Sequence, residues 1–236
     1  MSEQIDLWNQ WIFQAKEDSE SFVDVGGLWG TTNEKVSVAS MAGFRDLTMA
    51  DMQPAGNEWW LAFDARMLDH GVSGVRSIVT EATPPGLARR IGVHDVVHCS
   101  GVIYHVPSPF ELLWNLASCA KNFLIVNSMV VPPRVENEFG CREIDPSEPV
   151  CIPLLDETGR KIYGSYFESR GLVIGHLNGA PVLTWHDGLG SPDFAPWWWL
   201  FSPDALRNII EKSSMRIIDE GYTWSDLSYG YLIDLR

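Results

Sequence analysis

Basic side chains are scarce in this chain: 17 lysines and arginines stand against 31 aspartates and glutamates, a formal net charge of −14 over 236 residues. Such a field repels phosphate backbones, so nucleic acid is not an expected partner. The four cysteines, Cys99, Cys119, Cys141 and Cys151, form no C-x-x-C pair, which sets aside a zinc knuckle and a disulfide framework. Long apolar runs are also missing. The longest, "FLIVNSMVV" (123–131), is interrupted by Asn127 and Ser128 and is too short to span a bilayer. The first 20 residues mix acids with apolar groups and hold no signal-peptide core. No repeat or low-complexity tract is visible. The expectation is a soluble cytoplasmic protein with no membrane partner, long enough for one α/β domain and an elaboration.

Strands and helices alternate along the chain. Ile5, Trp8, Ile12 and Ala15 recur at helical spacing, so a short amphipathic helix is expected over 4–17. "SFVDV" (21–25) reads as a buried strand, 28–43 as the helix after a glycine turn, and "RDLTMAD" (45–51) as the second strand. Asn57 is placed to cap a helix running to His70 and Gly71. "VRSIVTEA" (75–82), "HDVVHCSG" (94–101) and "NFLIVNSMV" (122–130) supply three more strands. Between the last two, Ser108-Pro109-Phe110-Glu111 is a capping box with proline at the first helical position, opening a helix to Lys121. Ser202-Pro203-Asp204 opens another, and "MRIIDEGYTW" and "YGYLIDLR" follow as strands. Seven strands interleaved with helices predict an α/β fold, a Rossmann-like doubly wound sheet, mostly parallel.

The alternation breaks after the fifth strand, where the next segment is too long for an ordinary loop. The chain therefore divides into a main domain, 1–131 with 197–236, and a substrate-cap insertion, 132–196. Within the insertion, "LVIGHLNGAPVLTW" (172–185) carries Asn178-Gly179 between apolar runs and predicts a β-hairpin, with Pro181 marking an edge strand. Trp197, Trp198 and Trp199 come next. Three consecutive rings either pack the insertion onto the domain or form an aromatic wall for a sugar or planar metabolite.

The first strand runs into Gly26 and Gly27 ("FVDVGGLWG", 22–30), a turn that lets a cofactor approach backbone closely. Asp51 closes the second strand, where an acid can accept from both hydroxyls of a ribose. Dinucleotide-binding domains share that logic, but 26–30 reads G-G-L-W-G and departs from G-x-G-x-x-G. Asp24 adds a carboxylate that suits a cationic amino group better than a pyrophosphate. S-adenosylmethionine fits that description better than NAD.

"FVDVGGLWG", "LTMADMQP", "IVTEA" and "HDVVHCSGVIYHVPSPFELLWNL", in that order, resemble the sequence blocks of class I S-adenosylmethionine-dependent methyltransferases. The fourth block is similar to that of the subgroup holding tRNA wobble-uridine modifying enzymes and sugar or natural-product O-methyltransferases. "WWWLFSPDALRNIIEKSSMRIID" resembles that subgroup as well, whereas the insertion carries no family motif. The resemblance implies an enzyme with S-adenosylmethionine as cofactor. On it, Asp24 lies near the methionine ammonium, and Gly26 and Gly27 admit the methionine part. Asp51 holds the ribose with Met52 beside the adenine, Glu81 and Ala82 meet the adenine amino edge, and Ser100 and Gly101 border the sulfonium. Trp29 departs from the pattern by placing a bulky side chain in the turn.

Methyl transfer is an in-line displacement, accelerated largely by positioning, and an alcohol acceptor gains further from a general base. His105, just beyond the fourth strand, is the expected base, with His186 and Asp187 at the foot of the predicted hairpin as the competing pair. Two candidate ligands there do not make a metal site. His98, inside a strand, reads as a core histidine and Cys99 as packing. Tyr104, Trp197, Trp198 and Trp199 are expected against the acceptor. The expected function is methyl transfer to a small molecule, an oxygen of a sugar or secondary metabolite. A wobble-uridine-type RNA-modifying enzyme and a non-catalytic cofactor-binding module are the alternatives.

Overall fold

A computed structural model describes residues 6–29, 34–172, 174 and 197–236. The first half alternates as α1 (Leu7–Ala15), β1 (Ser21–Val25), α2 (Val36–Ala42), β2 (Asp46–Asp51), α3 (Glu58–Asp69) and β3 (Arg76–Val79). Next come α4 (Leu87–Ile91), β4 (His94–Ser100), α5 (Pro109–Cys119) and β5 (Ala120–Met129). The insertion holds β6 (Arg134–Asn137), β7 (Gly140–Glu143), β8 (Val150–Cys151) and α6 (Glu157–Glu168). After it lie β9 (Trp199–Leu200), α7 (Pro203–Lys212), β10 (Arg216–Trp224) and β11 (Ser228–Asp234).

Side-chain caps start the helices where the sequence placed them. Asn57, Ser108 and Ser202 accept from the backbone N–H of Trp60, Glu111 and Ala205, and Pro109 and Pro203 occupy the first turns. The helix expected from residue 28 begins only at Val36, because 26–29 are spent on the turn. Helix α4, held between Gly86 and Gly92, is too short to show a period and was not expected.

Seven strands form one sheet in the order β10-β11-β5-β4-β1-β2-β3. The run from β5 to β3 is parallel, and β11 lies antiparallel to both β5 and β10. Alternation along each strand feeds two cores. Val23, Val25, Val97, Leu124 and Val126 face α4, α5 and α7, while Phe22, Met49, Val96 and Ile125 face α1, α2 and α3. Among the described residues no helix is long and apolar enough to cross a membrane.

In the insertion, β6 and β7 form an antiparallel pair under α6, whose Ile162, Tyr163 and Phe167 join the first core. Strand β8 pairs with β9, Val150 beside Leu200 and Cys151 beside Trp199, so this two-stranded pair joins the insertion to the residues that follow it. Its returning end is fixed where the sheet's parallel strands end, since Trp198 N–H donates to Tyr104 O at 2.8 Å. Apart from Leu172 and Ile174, the predicted hairpin lies outside the described residues.

Candidate cofactor and acceptor site

The carboxyl ends of β1, β2 and β4 meet at one edge of the sheet. In register, Asp24 stands beside Met49 and His98, Asp51 beside Val79, and Ser100 beside Asn127. The chain winds outward in opposite directions from β1 and β4. A crevice for ligands opens at such a switch point.

Gly26 opens the turn with φ +80°, its N–H donating to Ala50 O at 2.8 Å. A Cβ on Gly26 would overlap Val102 Cγ2, and one on Gly27 would overlap Asp24 Oδ2 and lie 2.7 Å from its Cγ. Close approach of the chain to itself thus already demands both glycines. Asp24 is 0 % exposed; its Oδ2 accepts from Lys35 N–H at 2.7 Å and its Oδ1 meets His98 Nδ1 at 2.8 Å. From sequence this carboxylate is expected against a ligand ammonium. In the structure it ties the turn to the start of α2 and to β4, and His98 is a core histidine with a carboxylate partner.

Asp51 is 6 % exposed at the end of β2. It accepts from Leu28 N–H at 3.2 Å and Gln53 N–H at 2.9 Å, joining the glycine turn to the loop beyond its own strand. Burial pushes its carboxyl above the usual carboxylate range, against the lowering effect of those N–H donors. A carboxylate offers about four acceptor positions, so beside the N–H groups of Leu28, Gln53 and Met52 it keeps room for a further hydroxyl donor. Half-buried Met52 follows. Trp29, the odd residue of the turn, is 41 % exposed and stacks on Trp59 with ring centroids 5.1 Å apart. The pair forms a lip beside Asp51's turn.

Past β3, residues 80–86 are held by two side chains that were not expected to do so, Arg90 and Asn115. Arg90 donates to Thr80 Oγ1, Glu81 O, Pro84 O and Pro85 O at 2.8–3.1 Å. Asn115 Nδ2 donates to Ala82 O at 3.1 Å and Thr83 O at 2.6 Å. The hint for Asn115 was available: a polar residue among Leu112, Leu116 and Cys119 on the apolar face of α5. Glu81 and Ala82 are half-buried in this loop, whose first N–H, that of Thr80, donates to Asp51 O.

At the end of β4, Gly101 takes φ +74° and donates its N–H to Asn127 O at 3.2 Å, beside half-buried Ser100. Burial raises the Cys99 thiol far above its usual range, consistent with packing. A single turn, Ile103–His105, follows. The Tyr104 ring lies 4.2 Å from His105 and 4.4 Å from Trp197, which meets His105 edge-on at 5.6 Å and Phe167 of α6 at 5.3 Å. His105 and Trp197 are buried, while Trp198 and Trp199 are half-buried, with Trp199 Nε1 donating to Val106 O at 3.0 Å. The structure therefore brings Tyr104, His105 and Trp197 together. His186 and Asp187 lie outside the described residues.

No protein-family model matches the sequence, and no curated protein does. Solved structures do share the fold. The N-terminal domain of EvdMO1 with S-adenosylhomocysteine bound aligns with a TM-score of 0.54 and 13 % identity, over 96 % of this chain and 78 % of that one. That domain was also solved in the presence of S-adenosylhomocysteine and D-fucose. Magnesium protoporphyrin IX methyltransferase (ChlM) from Synechocystis PCC 6803, with bound S-adenosylmethionine, gives 0.51 and 13 % over 96 % and 76 %. The 1,6-didemethyltoxoflavin-N1-methyltransferase of Burkholderia thailandensis, with its namesake compound and S-adenosylhomocysteine bound, gives 0.54 and 11 % over 99 % and 79 %. At these identities the likeness establishes the fold: the chain has the Rossmann-like fold of class I S-adenosylmethionine-dependent methyltransferases. It does not reach down to the wobble-uridine subgroup.

Proposed function

We propose that the chain is a cytoplasmic enzyme that binds S-adenosylmethionine and methylates a small molecule, at an oxygen of a sugar or secondary metabolite. The interlock at the crevice carries this reading: Asp51, buried at the end of β2, grips the glycine turn through Leu28 N–H and keeps room to accept from a ribose. The donor set fits the cofactor. Gly26 and Gly27 leave backbone bare for the methionine part, Met52 flanks the adenine, and the loop of Glu81 and Ala82 is fixed by Arg90 and Asn115 to meet its edge. When bound, the cofactor supplies an electrophilic methyl group on a sulfonium, bordered by Ser100 and Gly101. His105 takes the acceptor's proton, and Tyr104 and Trp197 wall the acceptor away from water, with Trp198 and Trp199 at the rim. A fold neighbour solved in the presence of D-fucose supports a sugar, and the net charge of −14 weighs against RNA.

Thermal unfolding tests the cofactor. S-adenosylhomocysteine at 100 times its Kd should add about 2.7 kcal/mol of stability, and NAD none. Stabilisation by NAD alone would overturn the assignment. Incubation with methyl-labelled cofactor and a metabolite extract should then label a small molecule; label confined to added tRNA would refute the acceptor class.

A further inference from the structure

Among the described residues Lys35 is the only buried lysine or arginine, at 7 % exposure. It stands where the chain leaves the glycine turn for α2, with its own N–H on Asp24. Its ammonium donates to Asn9 Oδ1 at 3.1 Å, a neutral acceptor on α1, and lies 4.8 Å from the centroid of the Trp8 ring. Asp24, Asp6 and Glu34 act on it at longer range, and Glu34 is already bonded to Arg66 at 2.7 Å and to Ser37 N–H at 2.9 Å. Burial wins over those acids and pulls the lysine below its usual range. Beside it, Trp8 Nε1 is buried with no hydrogen-bond partner among the described residues. A buried cation and a buried, unbonded N–H donor thus belong to two side chains in contact, Lys35 and Trp8, and among the described residues no carboxylate is hydrogen-bonded to either side chain. Leaving such groups unmatched is costly, which favours an acceptor of negative charge arriving from outside.

We infer that Lys35, with Trp8 Nε1 beside it, receives the carboxylate at the amino-acid end of the ligand seated in the glycine turn. The inference rests on the cofactor reading above and adds residues from α1 and the start of α2 to the binding machinery. Helix α1 thereby gains a part in binding, since its Asn9 steadies the ammonium while its Trp8 ring lies against it.

Isothermal titration with two ligands tests this on the full chain. S-adenosylhomocysteine has the amino-acid end; 5′-methylthioadenosine keeps the adenine, ribose and thioether but lacks it. Lys35→Met should weaken S-adenosylhomocysteine by about 10- to 100-fold, the loss of one charge-assisted hydrogen bond, and leave methylthioadenosine unchanged. Trp8→Phe should give a smaller loss, about 2- to 10-fold, on the same ligand only. Without ligand, the melting temperature of Lys35→Met should hold or rise, because an apolar chain replaces a buried cation. Wild-type affinity in Lys35→Met, or an equal loss for both ligands, overturns the inference while leaving the cofactor reading intact. Failure of the wild-type protein to bind either ligand overturns both.

Discussion

Replacing Asp51 with asparagine separates charge from shape at the centre of the crevice. The carboxylate accepts from Leu28 and Gln53 N–H. An asparagine oxygen serves one of these donors, and its Nδ2 then faces the other, donor against donor. A ribose hydroxyl also loses a charged acceptor, worth about 1.5–3 kcal/mol, so S-adenosylhomocysteine affinity should fall by about 10-fold to 100-fold. The pH dependence sharpens the test. Burial holds the carboxyl above its usual range, so it protonates at a higher pH than an exposed aspartate, whose value is about 3.9. Cofactor affinity should therefore decline on acidification, beginning above that value. Stability without ligand moves the opposite way. The folded pKa exceeds the unfolded one, so the folded state binds more protons in that window. This group's favourable contribution is fully present below the unfolded pKa and is lost as pH rises through the folded one. Asp51→Asn should flatten both slopes, measured by titration calorimetry and denaturant unfolding over the same pH series. Wild-type affinity in Asp51→Asn, or identical pH slopes in the two proteins, would refute the ribose role.

Gly27→Ala drives a Cβ into Asp24 Oδ2, which Lys35 N–H and His98 hold in place; urea unfolding should show a loss of about 1–3 kcal/mol, and unchanged stability would mean that the turn yields without cost. Asn115→Ala frees the carbonyls of Ala82 and Thr83. It should weaken S-adenosylhomocysteine and methylthioadenosine in parallel by about 5- to 10-fold, since both carry the adenine, and a loss for one ligand only would contradict it. His105→Ala should lower turnover by about 10²–10⁴ with cofactor affinity kept. A lower melting temperature with turnover intact would instead make His105 a packing residue of the Tyr104–Trp197 cluster.

The main domain was legible because its signals are local and repeat. Short, nearly continuous apolar runs set between turns and helix caps marked the strands, and Asn57, Ser108 and Ser202 marked helix starts by satisfying backbone donors in place. The insertion was not legible, because its pieces are short and held by distant partners. Strand β8 has only two residues and exists through its pairing with Trp199 and Leu200. Helix α6 starts at Asp156, whose side chain accepts from Gly159 N–H, a cap that no long apolar run announces. Among three adjacent tryptophans, only the tertiary contacts with Tyr104 and Phe167 show that Trp197 is the buried one.

The site divides along the same line. The position of Asp51 at the crevice could be read from sequence because the end of a strand places a carboxylate without help from elsewhere in the chain. The internal partners of Asp24 could not be read that way. One residue inside the strand, its side chain points at whatever α2 and β4 present, and they present the Lys35 N–H and His98. Asp24 is satisfied internally, and on the inference above the charge that meets a ligand is the lysine's. The same carboxylate that pins Lys35's backbone helps to fix where its ammonium stands, beside Asn9 and Trp8 of α1, where on that inference it receives a ligand carboxylate.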